Sequence, residues 1–430
     1  MALLSLFIYL TIISSFSLIY ILFCSVLILL LIKRPILILS GIVIFFAAWY
    51  LMYFQRQEKM HQSINGIFEI KKIISSGYII KANGNNVLIS TKKHFELFDE
   101  IRISGQIETP TNFNGAKFDF VSYLKTLNIE NIIKFPKISL ASHSGDIRTK
   151  SLSFLTIGPS EYTKVAPLVM LGVKTNAAKD IYQMSIRLSV VHLFVISGFH
   201  ISFLYLLVGK ILKIMKIDKY TNPWMPLFMI LIYLFLINFP LSASRAFILI
   251  LLLNINKKLL KNRFTSMEIL AIVICLMFLY KPYSIKSLSF IYTFLATGTV
   301  LYINSFKFKS DLMKYLSISI IVYFITVPIS IYINHFFAPL GILMGIIFTP
   351  IMMMVYTLSI FLFPFKDVMN QVYIVFVWLL KVMDGVNPLV KINLSLFIIQ
   401  ILYLIALSSF IIWRLWYLFT EKNNILLIKN

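Results

Sequence analysis

"HLFVISGFHI", residues 192–201, lies inside an apolar run from 188 to 209 and places two histidines, a serine and a glycine among residues suited to a lipid interior. The run has the roughly 20-residue length of a transmembrane helix, yet Ser197-Gly198 is a pair at which a helix kinks or breaks. Broken backbone at membrane depth persists only where protein buries it or where it lines a water-filled cavity.

The surrounding chain has the composition of a membrane protein. Of its 430 residues, 59% are hydrophobic and 13% charged. Further apolar runs cover 3–31, 35–54, 223–238, 240–256, 266–280, 287–304, 315–333, 338–363, 370–383 and 395–413. With 188–209 these are eleven candidate spans, and the expected fold is a polytopic α-helical membrane protein with about 11 transmembrane helices. Runs 240–256 and 370–383 are short for a perpendicular crossing. The first run is too long for a signal-peptide core and is read as a retained span. Phe23 before Cys24 is too bulky for a lipoprotein cleavage site, and Cys24 and Cys275 form neither a metal spacing nor a disulfide framework.

Loop charge orients the spans, because short cytoplasmic loops collect Lys and Arg. Lys33-Arg34, then Lys210 to Lys219, then Lys257 to Arg263, then Lys307 to Lys314, and finally Arg414, Lys422 and Lys429 fall on alternate sides. This places the N-terminus outside and the C-terminus inside the cytoplasmic membrane. Lys281 and Lys286 depart mildly from the pattern.

Residues 55–150 differ in kind. "INGIFEIKKI", "GYIIKA", "NVLIST" and "DEIRISGQIET" alternate apolar and polar residues between turn signals; "FDFVSYLKTLN" then reads as an amphipathic helix and "NIIKF" as a last strand. Five strands with a helix before the last fit a small extracytoplasmic OB-like β-barrel, a type that holds single-stranded nucleic acid in a basic groove with aromatic platforms. The segment carries 14 Lys and Arg against nine Asp and Glu. A purely structural role beside the membrane domain fits equally. The organisation expected is therefore two spans in 1–54, the OB-like domain in 55–150, an amphipathic surface helix or linker in 151–185, and a membrane domain in 186–430.

Within the membrane domain, His192 and His200 are eight residues apart, about 80° around a straight helix. A shared polar face would point to an aqueous path lined by His192, Ser197, Gly198 and His200; hydrogen bonding and close packing between helices is the alternative. "LSASRAFIL" places Arg245 just inside another span, where it either snorkels or supplies a fixed charge for phosphates along the path. No carboxylate accompanies Ser197 and the histidines, and His61, His94, His143 and His335 show no ligand spacing. Neither catalytic residues nor a metal or other cofactor is expected.

The stretches "LVMLGVKTN" (168–176), "IRLSVVHLFVISGFHISFL" (186–204), "LSASRAFIL" (241–249) and "SLSFIYTFLATGTVLYI" (287–303) resemble, in order and spacing, the ComEC family of competence proteins. "GAKFDFVSYLKTLNI" (115–129) and "TVPISIYINHFFAPLGILMGIIFTP" (326–350) extend the resemblance to roughly residues 30–365, with HLxxISGxH its most specific part. Phe199 stands where the family motif usually has leucine. The resemblance implies a channel, not an enzyme, that passes single-stranded DNA into the cytoplasm during natural transformation, with His192, Ser197, Gly198, His200 and Arg245 at its motif positions. Many relatives end in a metallo-β-lactamase-like domain; no HxHxDH pattern occurs here, so a separate nuclease is implied. There is also no GxxxxGK[ST] loop, so a cytosolic helicase-type ATPase would drive import, and a DNA receptor protein outside would deliver the strand. In the OB-like domain, Lys71, Lys72, Lys92, Lys93 and Tyr78 are the expected DNA contacts, with membrane lipid around the spans. A secondary transporter of small anionic or lipid-linked substrates is the other reading, since broken helices and buried charge serve transporters too.

Overall fold

The computed structural model describes residues 63–398, apart from 75, 83, 92, 94, 96, 113–119, 128, 143–145, 217–222, 281–286, 305, 307, 393 and 396–397. The runs 3–31 and 35–54, and nearly all of 395–413, lie outside the described residues.

The alternating segment folds as a sheet. Strands β1 (Ser63–Ile74), β2 (Gly77–Ala82), β3 (Asn85–Ile89) and β4 (Glu100–Gln106) precede helix α1 (Phe120–Thr126), and β5 (Ile129–Ile133) and β6 (Lys137–Ser142) follow it. Their order is β5-β3-β2-β1-β4-β6, with β3 and β5 parallel and the other neighbours antiparallel. β1 is shared between the two halves: Ser63 to Glu69 pair with β4, and Ile70 to Ile74 pair with β2 across an irregularity between Ile70 and Lys72. Two 2.8 Å backbone bonds between Glu108 and Ile132 join the segment after β4 to β5, so the sheet curls until its far edge meets β4 again.

Period-two patterning gives the sheet two apolar faces. Ile64, Ile70, Ile80, Val87, Ile101, Ile103 and Ile138 pack inside the curl. Ile79, Leu88, Ile129 and Ile132 pack on the other side under Leu124 of α1. At Gly77 (φ 140°) a Cβ would stand 2.0 Å from the Ile89 carbonyl oxygen, so the β1–β2 turn admits glycine alone. The sheet has six strands rather than the expected five. The sixth, β6, follows Phe135-Pro136 and carries only one buried residue, Ile138, so it has little apolar signal.

The rest is helical. α2 (Ile147–Thr156) and α3 (Ser160–Ala166) lead into a π-helical turn at Pro167–Leu171, a 3₁₀ turn at Asn176–Ala178, and α4 (Lys179–Arg187). α5 (Val191–Phe194), α6 (Gly198–Ile214), α7 (Trp224–Leu236), α8 (Leu241–Lys258), α9 (Ser266–Tyr280) and α10 (Leu288–Ile303) follow. Then come α11 (Asp311–Asn334), β7 (Phe336–Phe337), α12 (Gly341–Leu362), α13 (Lys366–Val386) and β8 (Val390–Lys391), the two short strands forming a ribbon. α11, α12 and α13 are each long and apolar enough to cross a membrane, and α7 is a shorter apolar helix. Run 370–383 proves to be the middle of the 21-residue α13, so its apparent shortness came from polar ends.

Segment 151–185, expected as an amphipathic surface helix or linker, is built of several short helices. Gly158-Pro159 and Pro167 divide it, and its apolar residues enter the main core: Tyr162, Val165, Leu168 and Val169 pack with Phe348 and Met352 of α12 and Tyr373 and Phe376 of α13. α13 also satisfies helix ends there. Lys366 Nζ donates to the Phe154 and Ile157 carbonyls, each at 2.7 Å, at the end of α2. Asn370 Oδ1 accepts from the Glu161 and Tyr162 amides at 3.1 and 3.0 Å at the start of α3.

Candidate functional site

The decapeptide is a broken helix. α5 ends at Phe194, Val195 and Ser197 are extended, and α6 begins at Gly198. Ser197 caps α6 with help from the motif's second histidine. Its Oγ accepts from the Phe199 amide at 3.3 Å, while His200 Nδ1 accepts from the Ser197 amide at 3.3 Å and lies 3.0 Å from Ser197 Oγ. His200 thus fills the role that Glu or Gln plays in a capping box.

Four other elements hold the break. Ser242 of α8 donates to the Ile196 carbonyl at 2.8 Å, supplying the bond that the interruption leaves open. A Cβ at Gly198 would meet the Ala246 methyl at 3.1 Å, so glycine sets the approach of α6 to α8. Gly172, left-handed at φ 68° after the π-helical turn, lies against the Ile196 side chain. His200, 1% exposed, presents its ring edge-on to Tyr356 of α12 at 5.0 Å. Tyr356 donates to the Tyr233 hydroxyl at 3.1 Å, and Tyr233 of α7 donates to the Met170 carbonyl of the π-helical turn at 2.8 Å.

The expected lining residues therefore part company. His192 is exposed, Ser197 and Gly198 are half-buried, and His200 is enclosed. The 80° relation between the histidines assumed a straight helix, and the break between them removes it. Arg245 is also 1% exposed and neither snorkels nor faces solvent. Its Nη2 donates to Ser289 O and Oγ, both at 2.9 Å, and to Thr293 Oγ1 at 3.0 Å, joining α8 to α10. The Phe290 and Phe294 rings lie 5.3 and 5.7 Å from its guanidinium. Such pairing is how a buried cation is tolerated. Among the described residues no group of three or more His, Cys, Asp or Glu could hold a metal ion.

In the sheet domain the expected DNA contacts are also redistributed. Tyr78 is 6% exposed; its hydroxyl donates to the Lys93 carbonyl and accepts from the Phe95 amide, both at 3.0 Å, and its ring meets Phe95 edge-on. It is a core residue, not an exposed stacking platform, because its position in β2 points inside the curl. Lys93 Nζ donates to the Ile138 carbonyl at 2.8 Å, and Lys71 pairs with Glu69 at 2.7 Å. Lys72 is exposed, and Lys92 lies outside the described residues.

A junction that sequence reading missed centres on Arg148. Its guanidinium binds the Asp146 carboxylate, reaches Glu69 of β1 and the side-chain Oδ1 of Asn238 after α7, each at 3.4 Å, and lies over the rings of Phe98 and Phe235. Asn238 Nδ2 completes the contact by donating to the Lys71 carbonyl at 3.2 Å. Arg148 holds the Asp146 carboxyl below the usual carboxylate range. Asp146 also caps α2, a local signal legible in "GDIRTK"; Asn238, ninety positions away, left no such signal.

The family model described as Competence protein matches residues 169–422, more than half of the chain. MG316 of Mycoplasma genitalium, described as uncharacterised, is 33% identical over 199 residues, which cover 46% of this chain and 52% of that protein. The MG316 homologue of Mycoplasma pneumoniae is 33% identical over 225 residues, covering 52% and 58%. The chain spans about half the length of these curated relatives. No solved structure matches it. The matched region contains the broken helix, its bracing residues and the three long apolar helices, and the chain belongs to the Competence protein family.

Proposed function

We propose that the protein is a channel of the cytoplasmic membrane that passes one DNA strand inward during natural transformation. Family membership supports a role in DNA uptake. The observation that carries the channel reading is the interruption at Val195–Ser197, a break braced on several sides and flanked by exposed His192 and Phe199. A helix opened in this way can face water at membrane depth. On this reading the sheet domain, an OB-like barrel, lies outside and takes the strand from a receptor protein; the N-terminus is outside, the C-terminus inside. Import relies on a cytosolic helicase-type ATPase and a separate nuclease.

Thiol blocking tests the path. With Cys24 and Cys275 replaced by serine, His192→Cys is treated from outside with a bulky thiol reagent and internalised labelled DNA is counted. Uptake should fall at least tenfold while surface-bound DNA is unchanged. Reaction at position 192 without loss of uptake would remove the break from the path.

The second reading, a secondary transporter for small anionic or lipid-linked substrates, draws on the enclosure of His200 and Arg245, which suits an occluded polar site. It expects no DNA inside cells that carry the intact protein and the rest of the uptake machinery.

A further inference from the structure

The turn between β5 and β6 carries a phenylalanine that joins no core cluster or ring contact among the described residues. Phe135 is 91% exposed, between Lys134 and Lys137 and followed by Pro136. The turn around it is held. A Cβ at Gly105 would stand 2.7 Å from Ile133 Cγ2 and 3.5 Å from Pro136 Cα, and Lys134 Nζ bonds Glu108 at 2.9 Å. The ring projects into solvent from a turn packed closely against Gly105 of β4.

Strand register extends a surface from this tip. Asn65 pairs with Ser104 and Ser104 with Lys137; Ile67 pairs with Arg102 and Arg102 with Ser139. Alternation places these two rungs on the side opposite buried Ile64, Ile101, Ile103 and Ile138. Neither Arg102 nor Lys137 is paired with a carboxylate among the described residues. The next rung, Glu69 opposite Glu100, is acidic and closes the strip toward the Arg148 junction.

We propose that this strip binds single-stranded DNA, with a base stacked on Phe135 and phosphates on Arg102 and Lys137. The inference rests on the reading that the chain handles a DNA strand, and it moves the aromatic platform from buried Tyr78 to Phe135. An exposed ring beside cations and small polar groups suits a single strand, whose bases all offer a π face and whose backbone is anionic. The acidic rung would repel phosphates and confine the strand to the Phe135 end. An anionic lipid surface fits less well, because Ile67 is the one exposed apolar side chain in the two rungs behind the ring, against Asn65, Ser104, Arg102, Lys137 and Ser139.

The test uses the full chain in zwitterionic nanodiscs and a fluorescent oligothymidylate, with affinity read by anisotropy over a salt series. Phe135→Ala should weaken binding about tenfold, and Phe135→Trp should retain it. Arg102→Gln with Lys137→Gln should lower the slope of log affinity against log salt by about 1.4. Equal melting temperatures confirm that these surface variants fold. If the parent binds and Phe135→Ala binds as tightly, the site is wrong while the channel reading stands. If the parent binds no oligonucleotide, DNA handling by the outer domain falls and the site with it. If Phe135→Ala spares DNA binding but abolishes association with anionic vesicles, the tip is a lipid anchor and the inference is overturned.

Discussion

A methyl group added at Gly198 would sit 3.1 Å from that of Ala246, closer than carbon atoms pack without strain. Gly198→Ala should therefore push α6 from α8 and cost about 1–3 kcal/mol by overpacking. Ala246→Gly should return part of that loss in the double variant, even though glycine in a helix interior costs about 1 kcal/mol. Thermal melting of the four proteins in detergent measures the coupling; strictly additive losses would show that the contact does not set the crossing. Ser197 and Gly198 were legible as a break because their types disfavour a continuous apolar helix. The burial of His200 was not legible, since it depends on Tyr356, which is 156 positions later in the chain.

At the scale of elements, the sheet meets the helices through Arg148, and the contact has a pH sign. The pKa of the Asp146 carboxyl is depressed below that of an ordinary aspartate, chiefly by its hydrogen bond to Arg148. Its contribution is complete above about pH 4 and is lost as pH falls through the depressed folded value. Spin labels at Asn85 and Met229, in a background without Cys24 and Cys275, should give a narrow distance distribution at pH 7 that broadens on acidification below pH 4. Arg148→Ala should already be broad at pH 7, and Asp146→Asn should lose the acid response. A narrow distribution in Arg148→Ala would mean that other contacts hold the domain. Phe98, Asn238 and Phe239 at this junction have left-handed backbone, with φ of 73°, 60° and 48°. Asparagine adopts that conformation readily and phenylalanine does not, so local preference misses the two phenylalanines.

For the molecule as a whole, the three long helices are the ones with the length and apolar composition to cross a membrane. α13 buries Met369, Tyr373, Phe376 and Leu380 and exposes Val368, Val375, Trp378 and Val382, an apolar outer stripe at helical spacing. At about 1.5 Å per residue its 21 residues reach roughly 31 Å, near the thickness of a bilayer core. With the other four tryptophans replaced by phenylalanine, Trp378 emission should be quenched by at least half in bilayers of brominated acyl chains. Quenching by an aqueous agent such as iodide instead would take α13 out of the lipid.

Run length carried the long apolar helices and alternation carried the sheet segment, because a lipid interior demands unbroken apolar segments and a curled sheet demands alternation. The interruption at Ser197-Gly198 was likewise written in local residue types. The placement of the polar residues depended on distant packing. Arg245 is enclosed because Ser289 and Thr293 arrive from α10, and Tyr78 is internal because β1, β4 and β6 complete the curl around it. Segment 151–185 became core because α12 and α13 return to cover it. Burial is a property of what the chain brings to a residue, and those partners lie too far along the chain for any local pattern to register.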